Sequence, residues 1–169
     1  MNNPGIAFVA LGSNLGNPVE IVRSAMAQLQ ALSDKPLLKS SLWQTAPVDC
    51  PPGSPPFINA VAGLEPRPEE TPATLLLQLR ALEEKFGRAP GKIRNEPRLL
   101  DLDLIAFGSQ EINSARLTLP HPRAHLRGFI LQPLSEIAPD FVLPGQAKTV
   151  QQLLQGLKGK SPLLGERVG

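Results

Sequence analysis

Tyrosine is absent from this 169-residue chain, tryptophan and cysteine occur once each, and no apolar run approaches the length needed to cross a bilayer. A single cysteine, Cys50, excludes an intramolecular disulfide and any cysteine-based zinc site, and it fits a reducing compartment. The segment Met1-Asn2-Asn3-Pro4-Gly5 lacks the basic start and apolar stretch of a secretion signal, so a cytoplasmic location is expected. A formal charge of +2 is too small to imply a nucleic-acid or membrane partner. What the chain has in quantity is 19 prolines and 14 glycines, which indicate many ordered turns around an ordinary apolar core. One domain spanning residues 1–169 is expected.

The apolar run from Ile6 to Leu11, ending at Gly12, predicts a buried central strand. Asn17, Pro18 and Glu20 supply an N-cap, a first helical residue and a capping-box partner, so a helix should run from Pro18 to Leu32 with Val22, Met26, Leu29 and Leu32 on its core face. A strand is predicted from Leu37 to Thr45 and a second from Phe57 to Leu64, paired across a proline-rich connection. Thr71-Pro72 opens a second helix, with Leu75, Leu79, Leu82 and Phe86 at helical spacing and Gly87 as its stop. A strand over 100–107 follows, then a short strand near Ile112, an extended segment at 117–122, and short helices over 129–137 and 149–157. The order strand, helix, strand, strand, helix, strand is the split unit of a ferredoxin-like α+β sandwich, a mainly antiparallel sheet with helices packed on it.

Chemistry concentrates in Arg98-Leu99-Leu100-Asp101-Leu102-Asp103-Leu104-Ile105. Strand alternation sends Asp101 and Asp103 to the same face, where two carboxylates side by side repel unless cations share them. Hard oxygen donors favour Mg²⁺. Upstream, Arg88, Lys92, Arg94 and Arg98 outweigh Glu96, so a cationic loop broken by Pro90, Gly91 and Pro97 feeds directly into the acidic strand. Polyphosphate recognition needs that combination, since arginines hold phosphate oxygens while the metal bridges them. Gly12-x-x-x-Gly16 lacks the ending of a Walker A loop and is better explained as a turn. His121 and His125 are separated by a proline and lack a cysteine cluster, so His121 fits a phosphate donor better than a zinc ligand. Phe57 and Asn59 allow either a satisfied core or a ligand pocket.

Taken in order, Ala10-Leu11-Gly12-Ser13-Asn14-Leu15, Ser40 to Asn59, Phe86-Gly87-Arg88, Pro97-Arg98-x-x-Asp101-Leu102-Asp103 and Leu119-Pro120-His121 to Arg127-Gly128-Phe129 make the sequence resemble 6-hydroxymethyl-7,8-dihydropterin pyrophosphokinase of folate synthesis. The resemblance implies a ferredoxin-like monomer that transfers pyrophosphate from ATP to the pterin hydroxymethyl group and releases AMP. It makes Asp101 and Asp103 the ligands of two Mg²⁺ ions and Arg88 and Arg98 the clamp on phosphate charge. Glu83, Leu104, Arg116, Thr118, His121 and Arg127 would serve ATP, and Thr45, Val48, Phe57, Asn59 and Phe129 the pterin. Several positions depart from the family pattern: Pro90 replaces a frequent arginine, Asn95 an aromatic, Glu96 a glycine, Arg80 a glutamine and Pro122 an aromatic. The segments 46–56 and 88–98, rich in proline or glycine and poor in core anchors, are expected to rearrange when substrates bind. The rival expectation is a ferredoxin-like module that binds nucleic acid or a small molecule without catalysis.

Overall fold

The computed structural model describes residues 5–46, 52–53, 55–87, 99–160 and 165–168. The first strand, β1 (Ala7–Ser13), lies at the centre of an antiparallel sheet because every residue but Ala10 is buried. Two neighbours flank it, β4 (Phe57–Leu64) on one side and β5 (Asp101–Phe107) on the other. Outside β4 come β2 (Leu38–Lys39) and β3 (Leu42–Thr45), both antiparallel to it. A separate two-stranded ribbon joins β6 (Ile112–Asn113) to β7 (Thr118–Leu119).

Helix α1 (Pro18–Leu29) begins where Asn17 accepts a hydrogen bond from the Glu20 N–H, and a single 3₁₀ turn extends it to Leu32. Helix α2 (Pro72–Lys85) is closed at its start by a reciprocal Thr71–Thr74 capping box, and Gly87 follows its end at φ +93°. Both helices bury their leucine faces against one side of the sheet, in a core that includes Leu29, Leu75, Leu79, Leu102 and Leu104. The predicted ferredoxin-like α+β arrangement is present, with strand order β5-β1-β4-β3.

Two features go beyond the predicted plan. Helices α3 (Gly128–Ile137) and α4 (Val150–Lys160) cover the opposite face through a second core containing Phe8, Val61, Ile105, Ile130 and Leu131. A terminal strand, β8 (Glu166–Val168), pairs antiparallel with β3, so β3 is not a sheet edge. The strand predicted from Leu37 to Thr45 is also interrupted. Ser40 leaves the ladder and binds Val61 with both its N–H and its hydroxyl, at 3.0 and 2.9 Å, which splits the segment into β2 and β3.

A register shift opposite Phe8 and Val9 bends β5, placing consecutive Ile105 and Ala106 in the second core while Leu104 and Phe107 stay in the first. The Ile105 carbonyl then accepts the His121 N–H at 2.8 Å. The bulge thereby docks the segment after β7 against β5. Among the described residues, no helix is long and apolar enough to cross a membrane.

Candidate active site

The register of the sheet assembles one polar row. Trp43 pairs with Asn59, Asn59 with Gly12, and Gly12 with Asp101, so these four residues stand abreast on the same face. The adjacent row joins Val61, Ala10 and Asp103. Asn59 and Asp101 are therefore separated by one glycine-bearing strand, a backbone span of roughly 10 Å at normal strand spacing. Gly12 leaves that gap open. A Cβ placed there would stand 3.1 Å from Asn59 Oδ1 and 3.7 Å from the Phe57 ring.

On the β5 side, Asp101 and Asp103 are half-buried and share a face, as alternation predicts, while Leu102 and Leu104 point into the opposite core. Burial, reinforced by the neighbouring Asp101 charge, pushes the Asp103 carboxyl up to about 7; Arg80 opposes this, Glu83 adds to it, and Arg127 opposes it. Excess negative charge held out of water is a setting that a cation relieves. Among the described residues no third histidine, cysteine or carboxylate joins the pair in a metal-binding group. That donor set fits Mg²⁺, which keeps most of its shell for water and phosphate oxygens and takes one or two carboxylates from the protein.

His121, on the segment docked on the bulge, lies within the electrostatic reach of Asp101. Burial lowers its pKa from the ordinary value, the Arg127 and Arg123 charges lower it further, and Asp101 partly offsets them. Its Nδ1 accepts the Arg123 N–H at 3.1 Å. A neutral ring with Nδ1 as acceptor carries its proton on Nε2, where it is a hydrogen-bond donor. Arg127, just before α3, lies over the Phe129 ring with its guanidinium carbon 5.4 Å from the centroid. Arg127 thus lies over an aromatic face while its charge acts on Asp103.

On the β4 side, Asn59 and Thr45 are buried, and the Asn59 Nδ2 donates to the Thr45 hydroxyl. The amide nitrogen is satisfied internally while Oδ1 faces Gly12, so Asn59 combines a core bond with an acceptor beside the gap. Asn14, buried just after β1, donates through Nδ2 to the Pro55 carbonyl at 3.3 Å and ties the end of β1 to the entrance of β4; Gly12 and Ser13, expected in a turn, belong to the strand.

A family model described as 7,8-dihydro-6-hydroxymethylpterin-pyrophosphokinase (HPPK) matches residues 8–139, a stretch containing this whole site. The chain belongs to the HPPK family. A pyrophosphokinase of 2-amino-4-hydroxy-6-hydroxymethyldihydropteridine from Synechocystis is 41% identical over 152 residues, covering 88% of this chain and 74% of its own. Its namesake from Haemophilus influenzae is 41% identical over 139 residues, covering 82% and 84%. A solved HPPK-DHPS structure in complex with substrates superposes with a TM-score of 0.75 at 13% identity, covering 94% of this HPPK chain. This chain spans 44% of that longer protein, and at such identity the likeness speaks for the fold.

Within this candidate site, the structure gathers Asp101, Asp103, His121 and Arg127 on one side of Gly12 and Thr45, Phe57 and Asn59 on the other. Thr118 lies on β7, and Arg116 is exposed in the β6–β7 connection. Leu104 is placed differently from the rest: its side chain is buried in the α1–α2 core, which leaves only its backbone for a ligand on the aspartate face. Glu83 is wholly buried, with one carboxylate oxygen on the Leu102 N–H and the other on Arg80. Arg88, Arg98 and Val48 lie outside the described residues, as do Pro90, Asn95 and Glu96; of the two segments expected to rearrange, all of 88–98 and residues 47–51 and 54 of 46–56 lie outside them. Gly12 and Asn14 are not among the site residues expected from the sequence, where their signal is the Gly-Ser-Asn ending of the first strand.

Proposed function

We propose that this enzyme transfers the terminal pyrophosphate of ATP to the hydroxymethyl group of 6-hydroxymethyl-7,8-dihydropterin, with Mg²⁺, releasing AMP. The observation that carries the reading is the Asn59–Gly12–Asp101 row, in which an aromatic, amide-edged site and a cation-demanding carboxylate pair face each other across a residue without a side chain. Membership of the pyrophosphokinase family gives the two halves their substrates.

Asp101 and Asp103 would hold Mg²⁺, two ions by the family resemblance, and the metal would neutralise and orient the ATP phosphates. Arg127 and the Nε2–H of His121 face the same region and supply donors to phosphate oxygens; Arg116 and Thr118 line the approach, with Glu83 and the Leu104 backbone behind it. Arg88 and Arg98 take the phosphate-clamping role on the strength of the resemblance and their place in the sequence. Phe57 and Phe129 offer ring faces and Asn59 Oδ1 an acceptor for the edge of the pterin, with Thr45 fixing that amide and Val48 completing the pocket. Catalysis is then chiefly positioning and charge stabilisation, with the hydroxymethyl oxygen held in line with the β-phosphorus. A monomer suffices for this site.

The test is AMP formation from ATP and Mg²⁺, with and without the hydroxymethyl pterin. Pterin-dependent AMP is expected, and Asp101→Asn or Asp103→Asn should lower turnover by about two orders of magnitude or more while leaving the circular dichroism spectrum unchanged. Near-normal turnover in either variant at saturating Mg²⁺ contradicts the metal assignment.

A further inference from the structure

Among the described residues β5 is the outermost strand beside β1, and no strand pairs with the peptide groups on its far side. Leu102 is one such residue. Its N–H donates to Glu83 Oε2 at 2.7 Å, and its carbonyl accepts from Arg80 Nη1 at 2.8 Å. Arg80 Nη1 also donates to Glu83 Oε1 at 2.7 Å, closing a ring of three hydrogen bonds between one turn of α2 and one residue of β5. Glu83 is fully buried, while Arg80 keeps 44% of its side chain exposed. The pair reproduces, for a single residue, what a neighbouring strand would supply.

The residue so held is the one between the two aspartates. The Leu102 N–H belongs to the peptide plane shared with Asp101, and its carbonyl to the plane shared with Asp103. Fixing both planes fixes the directions in which the two carboxylate side chains leave the strand. We infer that Arg80 and Glu83 are positioning residues that set the spacing of the Asp101–Asp103 pair by clamping the Leu102 peptide groups. The inference rests on the reading of that pair as the cation ligands. A glutamine amide in place of Arg80 would offer the same kind of donor to the Leu102 carbonyl. The guanidinium adds a second, charge-assisted bond to Glu83, which leaves the buried carboxylate paired.

Three variants of the full chain test this: Arg80→Leu, Arg80→Gln and Glu83→Gln. In metal-free protein, amide exchange at Leu102 should accelerate about tenfold or more in Arg80→Leu and Glu83→Gln relative to other β5 amides, and remain close to the parent in Arg80→Gln. Calorimetric titration of Mg²⁺ into protein saturated with an inert ATP analogue should show affinity falling about tenfold in Arg80→Leu, with most of it restored in Arg80→Gln. The KM for pterin should be unchanged in both. Unaltered Leu102 exchange and Mg²⁺ affinity in Arg80→Leu would overturn the clamp. So would a uniform loss of stability in which exchange rises throughout β5 and pterin and Mg²⁺ weaken alike. Absence of pterin-dependent AMP formation in the parent would instead count against the proposed reaction, with the Leu102 exchange result still deciding the clamp.

Discussion

Asp103 shows how burial of a single carboxyl makes the stability of a protein depend on pH. Its pKa rises from 3.8 to about 7 on folding, chiefly through burial, so the native state binds a proton that the unfolded chain has already released across that interval. The contribution of Asp103 to native stability therefore falls as pH climbs from about 4 to about 7 and levels off above it. Asp103→Asn removes the dependence. In metal-free urea titrations, the variant should gain stability over the parent at pH 8 relative to pH 4 by on the order of 1 kcal/mol or more. An equal difference at the two pH values would mean that burial does not hold the proton. On the other side of Gly12, Asn59→Leu preserves volume but removes both the bond to Thr45 and the acceptor facing the gap. Pterin binding measured with an inert ATP analogue present should weaken by about 1–3 kcal/mol, with nucleotide binding nearly unchanged. Equal weakening of both ligands would make Asn59 a core residue only.

At the scale of elements, β3 is held to helix α3 by one carboxylate. Glu136 accepts from the Ser41 N–H at 2.9 Å, the Ser41 hydroxyl at 2.7 Å and the Trp43 indole N–H at 2.8 Å. Removing it strands a buried indole donor at the start of the strand that ends in Thr45. Glu136→Ala should lower the unfolding free energy by about 1–3 kcal/mol, visible as a shift in denaturant midpoint, whereas Trp43→Phe in the same background should recover part of the loss. Elements whose signals are local were legible in the sequence: Asn17 and Thr71 cap their helices, Leu75, Leu79 and Leu82 face the core, and Asp101 and Asp103 share a face. Elements decided by distant partners were not. The break at Ser40 depends on Val61, and the burial of Leu104 away from the site depends on which face α1 and α2 occupy. A three-residue strand such as β8 has too little periodicity to announce itself.

For the whole molecule, the second helical layer explains why the site lies where it does. Helices α3 and α4 cover the sheet face around Phe8, Val61 and Ile105, and the polar rows of Asn59, Gly12 and the two aspartates continue that face toward the end of β1. The start of α3 brings Arg127 and Phe129 to the boundary, and the β5 bulge brings His121. Hydrophobic burial thus builds the frame, and the register of one antiparallel sheet decides which polar groups meet. In the proposed reaction two substrates meet over Gly12 and the group transferred is pyrophosphate. Phosphorus NMR of the products formed from ATP, Mg²⁺ and the hydroxymethyl dihydropterin tests it most directly. Equal amounts of AMP and a pterin diphosphate, with both strongly reduced in Asp103→Asn, are predicted; ADP with a pterin monophosphate, or ATP hydrolysis indifferent to the pterin, would contradict it.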